Sequence, residues 1–168
     1  RFAPASTFEN VPCQQLLPEG TAENGLVVVV GSSHARQWIP AMLPWAQEHG
    51  LQVVNLHMDG CNFEPGIPRG DYCSGYEEYV LDYLEAVKPD AVLTNSTLAV
   101  PDSAEETVTE GMANAVEVLT GRGYDVISVR DNPRWEEDQF ECAEAVIEAD
   151  GSPADADAPP ARARVQAK

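Results

Sequence analysis

Positive charge is what this chain has least of: ten Lys and Arg stand against 28 Asp and Glu in 168 residues, a formal net charge of −18. Such a surface repels phosphodiester backbones and anionic lipid headgroups, which argues against nucleic acid as a partner. Long hydrophobic runs are missing as well. The longest uninterrupted apolar stretch is Leu26–Val30, far below the roughly 18–20 residues that a bilayer span requires. The first residues, Arg1-Phe2-Ala3-Pro4-Ala5-Ser6, carry neither an initiating Met nor a charged-then-apolar leader, so the chain reads as processed or excised from something longer. No C-x-x-C pair occurs, against both a zinc ribbon and a thioredoxin-like redox site. His34, His57 and Asp59 lack any regular ligand spacing, so no metal and no cofactor is expected.

What is present fits one domain with a single site. The four cysteines, Cys13, Cys61, Cys73 and Cys142, are an even number, and disulfides in an oxidising, extracytoplasmic compartment are the expectation. Cys61 and Cys73 flank a segment rich in Pro and Gly with little means of ordering itself, where a bridge contributes on the order of 3 kcal/mol. Cys13 and Cys142 then pair, tying an N-terminal arm to the segment after the last strand.

Residues 1–25 have no sustained period and read as that arm. The β-branched run Leu26–Val30 has the pattern of a strand buried on both faces in a parallel sheet. Apolar residues at helical spacing follow from Trp38 to Ala46, with Pro40 and Pro44 placing the helix start near Pro40 or kinking it, and Gly50 ends it. Gln52–His57 is a second strand, and Tyr76, Tyr79, Val80, Tyr83, Leu84 and Val87 mark the core face of a second helix. Asp90–Asn95 is the third strand. Ser103 with Glu106 has the form of a capping box, opening a helix whose apolar face is Val108, Met112, Ala115, Val116 and Leu119. Tyr124–Arg130 is the fourth strand. This alternation predicts a three-layer α/β/α domain over residues 26–147, a doubly wound parallel sheet of flavodoxin-like type. Residues 148–168, rich in Ala, Asp and Pro, read as a flexible acidic tail or linker.

In such sheets ligands lie outside the carboxyl ends of the strands. Those ends carry Gly31-Ser32-Ser33-His34, His57 with Asp59-Gly60, Asn95-Ser96 and Asp131-Asn132, a polar rim. A serine between a strand and a helix, with free backbone N–H groups around it, serves as a nucleophile, an anion-binding turn or a plain helix cap. Local sequence leaves all three open.

Val27-Val28-Val29-Val30-Gly31-Ser32-Ser33-His34-Ala35-Arg36-Gln37-Trp38-Ile39-Pro40-Ala41-Met42 resembles the first block of the SGNH (GDSL-like) hydrolases, in the version G-D-S-H-A-x-Q-W-x-P-A-L. That version is typical of SGNH domains fused behind the membrane acyltransferase-3 domain of bacterial cell-envelope O-acyltransferases. The likeness runs from Val27 to Cys142. It implies Ser33 as nucleophile and an oxyanion hole made by the Ser33 and Gly60 backbone N–H groups and the Asn95 side chain, although Thr94-Asn95-Ser96 departs from the family's G-x-N-D.

Two further departures stand out. Ser32 replaces the motif's Asp, and the Asp-x-x-His block that supplies the family's base is absent, without which a serine is a weak nucleophile. The resemblance implies that a C-terminal strand and that block lie beyond Lys168, leaving this chain nearly inactive alone. Of the three histidines, His34 and His57 sit on the possible rim with Asp131, while His49 lies in a helix's last turn. The expected protein is an extracytoplasmic domain tethered to the membrane through an N-terminal acyltransferase domain. It passes an acyl group, acetyl first, from a donor through Ser33 to a cell-envelope glycan or glycolipid hydroxyl. The alternatives are a catalytically inactive module that binds glycan or docks a partner, and a stand-alone carbohydrate esterase.

Overall fold

A computed structural model describes residues 14–15, 24–100, 105–132 and 139–149. The elements are β1 (Gln14–Gln15), β2 (Gly25–Gly31), α1 (Ser33–Arg36), α2 (Ile39–Glu48), β3 (Leu51–His57), α3 (Tyr76–Val87), β4 (Ala91–Asn95), β5 (Thr97–Ala99), β6 (Glu106–Val108), α4 (Met112–Gly121), β7 (Asp125–Val129) and α5 (Gln139–Glu148). The valine run forms β2, in the middle of the sheet, because a strand covered on both faces needs apolar side chains on both. Val27 and Val29 pack with Ala35, Ile39, Ala46, Val53 and Leu93 on one side. Val28 and Val30 pack with Val54, Leu56, Val80, Leu84, Ala115 and Leu119 on the other. So α1 and α2 cover one face, and α3 and α4 the opposite one. Each fully buried Val or Leu contributes about 1.5–3 kcal/mol relative to exposure.

The parallel strands run in the order β3-β2-β4-β7, and β1 lies antiparallel on β3 at one edge. The expected α/β/α class with a parallel, doubly wound sheet is therefore what forms. From β2 the chain steps to β3 on one side and then back past itself to β4 on the other. The crevice between the carboxyl ends of β2 and β4 is the topological switch point, where such sheets place their ligands. Gly31 and Asn95 end those two strands.

One expected helix boundary is wrong. Glu106–Val108 is a strand, paired antiparallel with Thr97–Ala99, and α4 begins only at Met112. Ser103 lies outside the described residues, and Glu106 is bound to Arg130 and to the Thr97 hydroxyl rather than back to a helix start. Val108, expected on the apolar face, is 70% exposed. The side-chain partners of Glu106 outweigh a local capping pattern. The helix expected between β2 and β3 is split into the single turn α1 and then α2, which keeps Pro40 in its first turn and Pro44 inside. Helix α5 has no counterpart among the sequence-based expectations. Cys13, the Cys142 side chain and nearly all of the 148–168 tail lie outside the described residues. Among the described residues no helix is long and apolar enough to cross a membrane.

Candidate functional site

Gly31 turns the chain out of β2 at φ +120°. A Cβ there would lie 2.8 Å from Asn95 Oδ1 and 3.2 Å from the Ala35 methyl, so only glycine lets β4's last side chain meet the turn after β2. The turn is anchored from beneath by Tyr76, at the start of α3. Its buried hydroxyl accepts from the Gly31 N–H at 2.6 Å and lies 2.9 Å from the Leu56 carbonyl and 3.1 Å from that of Gly31. Burial holds the phenol protonated, far above its ordinary pKa. Helical spacing places Tyr76 on a core face and says nothing of this anchoring. A signal exists all the same, since a phenol at a buried position needs a hydrogen-bond partner.

Ser32 and Ser33 divide the possible roles between them. Ser32 is buried and is the cap: its side chain faces the His34 N–H at 3.4 Å, and its carbonyl accepts from Ala35 and Arg36 at 3.0 and 3.2 Å. Ser33 is half-buried, and its hydroxyl bonds to none of the described residues. The same holds for the backbone N–H groups of Ser33 and Gly60. Asn95 is buried; its amide nitrogen faces Asn62 Oδ1 and the Thr97 carbonyl at 3.5 Å each, longer than a strong hydrogen bond. Its Oδ1 has no partner in the described residues.

Gly60 is coupled to this turn through the backbone. The Met58 N–H donates to the Gly31 carbonyl at 2.9 Å, and Cys61 bridges back to Met58 at 3.0 Å, leaving Gly60 in a turn at φ +76°. The Cys61–Cys73 disulfide forms as expected. It is not alone in ordering its loop. Phe63, Glu64 and Pro65 are buried, Arg69 pairs with Glu64, and the Asn114 amide donates to the Pro65 carbonyl at 3.1 Å.

Asp131, after β7, is the electrostatic centre of the rim. Its side chain is 2% exposed, and both carboxylate oxygens lie 2.8 Å from His34 Nδ1. It also accepts from Gln37 Nε2 and the Asn132 N–H at 2.9 Å and from the Ala99 N–H at 2.8 Å. Burial pushes its carboxyl up, but the Ala99 N–H, His34 and Gln37 more than offset this, and the pKa lies below the usual carboxylate value. Gln37 further accepts from Asn132 Nδ2 at 2.9 Å, and the Asp131 N–H donates to Thr97 Oγ1 at 2.9 Å. One buried carboxylate thus ties α1, β5 and the end of β7 together. It also fixes the His34 ring, whose side chain is 26% exposed and whose Nε2 bonds to none of the described residues. Sequence reasoning placed Asn132 on the rim but missed the roles of Gln37 and Thr97; the Q of the first motif is the visible trace of the former.

His57 is closed off instead. The Asn55 amide donates to its Nδ1 at 2.8 Å, which puts the proton on Nε2, 3.4 Å from Asp59 Oδ1. Burial lowers its pKa, Arg36 adds to that, and Asp59 pulls the other way. Neutral, with both ring nitrogens engaged, it is a structural rim histidine. No group of three or more His, Cys, Asp or Glu among the described residues is arranged to hold a metal.

The family model described as "SGNH domain (fused to AT3 domains)" matches residues 5–168, nearly the entire chain. No curated protein and no solved structure matches.

Proposed function

Because the chain belongs to the SGNH domains fused to AT3 domains, an acyltransferase-associated class, we propose that it carries the covalent acyl-transfer step of a membrane O-acyltransferase, with Ser33 as the nucleophile. One observation supports this most: at the switch point, Ser32 takes over the capping and leaves the Ser33 hydroxyl and the N–H groups of Ser33 and Gly60 without partners among the described residues.

Ser33 Oγ attacks the acyl carbonyl as its proton passes to a base, and the carbonyl oxygen becomes an oxyanion facing the Ser33 and Gly60 N–H groups and the Asn95 amide. Losing one such donor costs about 3–4 kcal/mol in well-studied acyl transferases and hydrolases. Collapse expels the donor's leaving group with a proton. A glycan or glycolipid hydroxyl of the cell envelope then attacks the acyl-Ser33 ester, gives up its proton, and restores the serine. Acetyl is the simplest acyl group to assign. The Asp-x-x-His base of the family does not occur in these 168 residues. The disulfide supports an extracytoplasmic location, with the acyltransferase-3 domain holding this one at the membrane.

The experiment is trapping: the protein is incubated with p-nitrophenyl acetate, quenched in acid and mapped by peptide mass. An acetyl group on Ser33, lost in Ser33→Ala, is the expected result. Absence of the adduct favours the second reading, a binding module without catalysis, to which Ser32 in place of the motif's Asp and the departure of Thr94-Asn95-Ser96 from G-x-N-D lend weight.

A further inference from the structure

Tyr72 occupies the second position of a single 3₁₀ turn, Asp71–Cys73, and is 69% exposed, with its ring edge 4.0 Å from where a Gly60 Cβ would stand. Its hydroxyl bonds to none of the described residues. A large aromatic left in water forgoes most of the stabilisation that burial gives, and this ring fills no gap in the core. Yet its backbone is firmly held. The next residue is bonded through its sulfur to Cys61, Cys73 N–H donates to the Gly70 carbonyl at 3.0 Å, and Ser74 N–H to that of Asp71 at 3.2 Å. A rigid, exposed aromatic loses little entropy on binding, the property that makes such rings good contact surfaces.

Its place is specific too. Cys61 leads into Asn62, whose Oδ1 faces the Asn95 amide, and Asn95 touches the Gly31 turn. The ring therefore borders the same rim as Ser33. The exposed Asp71 precedes it in the same turn, and the exposed Asp59 precedes Gly60, against whose Cα side the ring stands. An exposed aromatic face in a loop that also carries exposed carboxylates matches a pyranose: the sugar's C–H face stacks on the tyrosine, and its hydroxyl groups can donate to acids such as Asp59 and Asp71. In a chain of net charge −18 it disfavours an anionic sugar.

We propose that Tyr72 is the stacking platform that positions a neutral sugar ring of the acceptor beside the acyl-transfer centre, an inference that rests on the proposed role of Ser33. The test is an NMR titration of the 168-residue protein with three probes, cellotetraose, maltotetraose and chitotetraose. At least one should show upfield ring-current shifts of its C–H protons. Tyr72→Ala should abolish those shifts and weaken binding by at least about fivefold, while Tyr72→Phe and Tyr72→Trp retain them, at unchanged unfolding midpoints. Ser33→Ala should bind as the parent does, so a failed acetyl trap and a failed platform are separate results. The platform is overturned if no probe is shifted or if Tyr72→Ala binds like the parent.

Discussion

Replacing Asp131 by Asn keeps the shape of the side chain and removes its charge, and the geometry sets the cost. One carboxylate oxygen serves Gln37 Nε2 and the Asn132 N–H, the other serves the Ala99 N–H, and both lie 2.8 Å from His34 Nδ1. An amide offers a single oxygen. Turned one way, its NH2 faces the Ala99 N–H; turned the other, it faces two donors. Each buried donor left unmatched costs about 1–3 kcal/mol, and one or two are left unmatched either way, so we expect a loss of about 3 kcal/mol. With a urea m-value of about 2 kcal/mol/M for a domain of this size, the midpoint falls by roughly 1.5 M. Tryptophan fluorescence reads it, with Trp38 two residues past α1 and Trp45 inside α2. The pH dependence has a definite sign. The folded pKa of Asp131 lies below its ordinary value, so its contribution is complete above the unfolded carboxyl pKa of about 3.9 and disappears as pH falls through the folded value. Parent and variant therefore differ fully at about pH 6 and converge in strong acid. An equal midpoint near neutrality, or a gap that persists unchanged in strong acid, refutes the account.

Two other substitutions probe the turn itself. Gly31→Ala places a methyl 2.8 Å from Asn95 Oδ1 in a backbone conformation that L-residues disfavour, and should lower stability by about 1–3 kcal/mol in urea unfolding while suppressing acetyl trapping at Ser33. Tyr76→Phe leaves the Gly31 N–H without its 2.6 Å acceptor and the Leu56 carbonyl without its donor; a loss of about 1–3 kcal/mol is expected, together with faster amide exchange at Gly31.

The four parallel strands are legible to within a residue, and β2 and β4 most plainly, because a two-sided core demands unbroken apolar runs such as Leu26–Val30 and Ala91-Val92-Leu93; the two-residue β1, within the expected arm, carries no such signal. The Thr97–Ala99 and Glu106–Val108 hairpin is not legible. Each strand is three residues long, too short for a period, and it is fastened by Thr97, Glu106 and Arg130 acting across nine and more residues. Local pattern cannot register such partners, and the Ser103 and Glu106 spacing points the other way. The site shows the same division. Ser33 and Gly60, the proposed nucleophile and oxyanion donor, are readable from strand ends and from the resemblance to a family whose model matches residues 5–168. The His34 and Asp131 pairing joins residues 97 positions apart and emerges only with the fold.

That pairing explains how a motif with Ser32 in place of its usual Asp still builds its turn. The hydroxyl of Ser32 faces the His34 N–H at only 3.4 Å, a weak cap for a helix of four residues. Held by that alone, α1 would fray, since a single turn is far below the length at which helices stabilise themselves. The stronger restraints come from outside it. Asp131 grips His34 and Gln37 at 2.8 and 2.9 Å, fixing the turn at both its second residue and its exit, and Tyr76 fixes Gly31 just before it. Ser33 lies between these anchors, so its backbone is set by contacts from α3 and from the end of β7 rather than by the cap. The two substitutions should therefore differ in size: Ser32→Ala should cost about 0.5–1 kcal/mol, at the low end for caps, and less than Asp131→Asn by a factor of about three or more. A Ser32→Ala loss equal to that of Asp131→Asn in the same urea series would mean that the cap, and not the buried carboxylate, holds the turn.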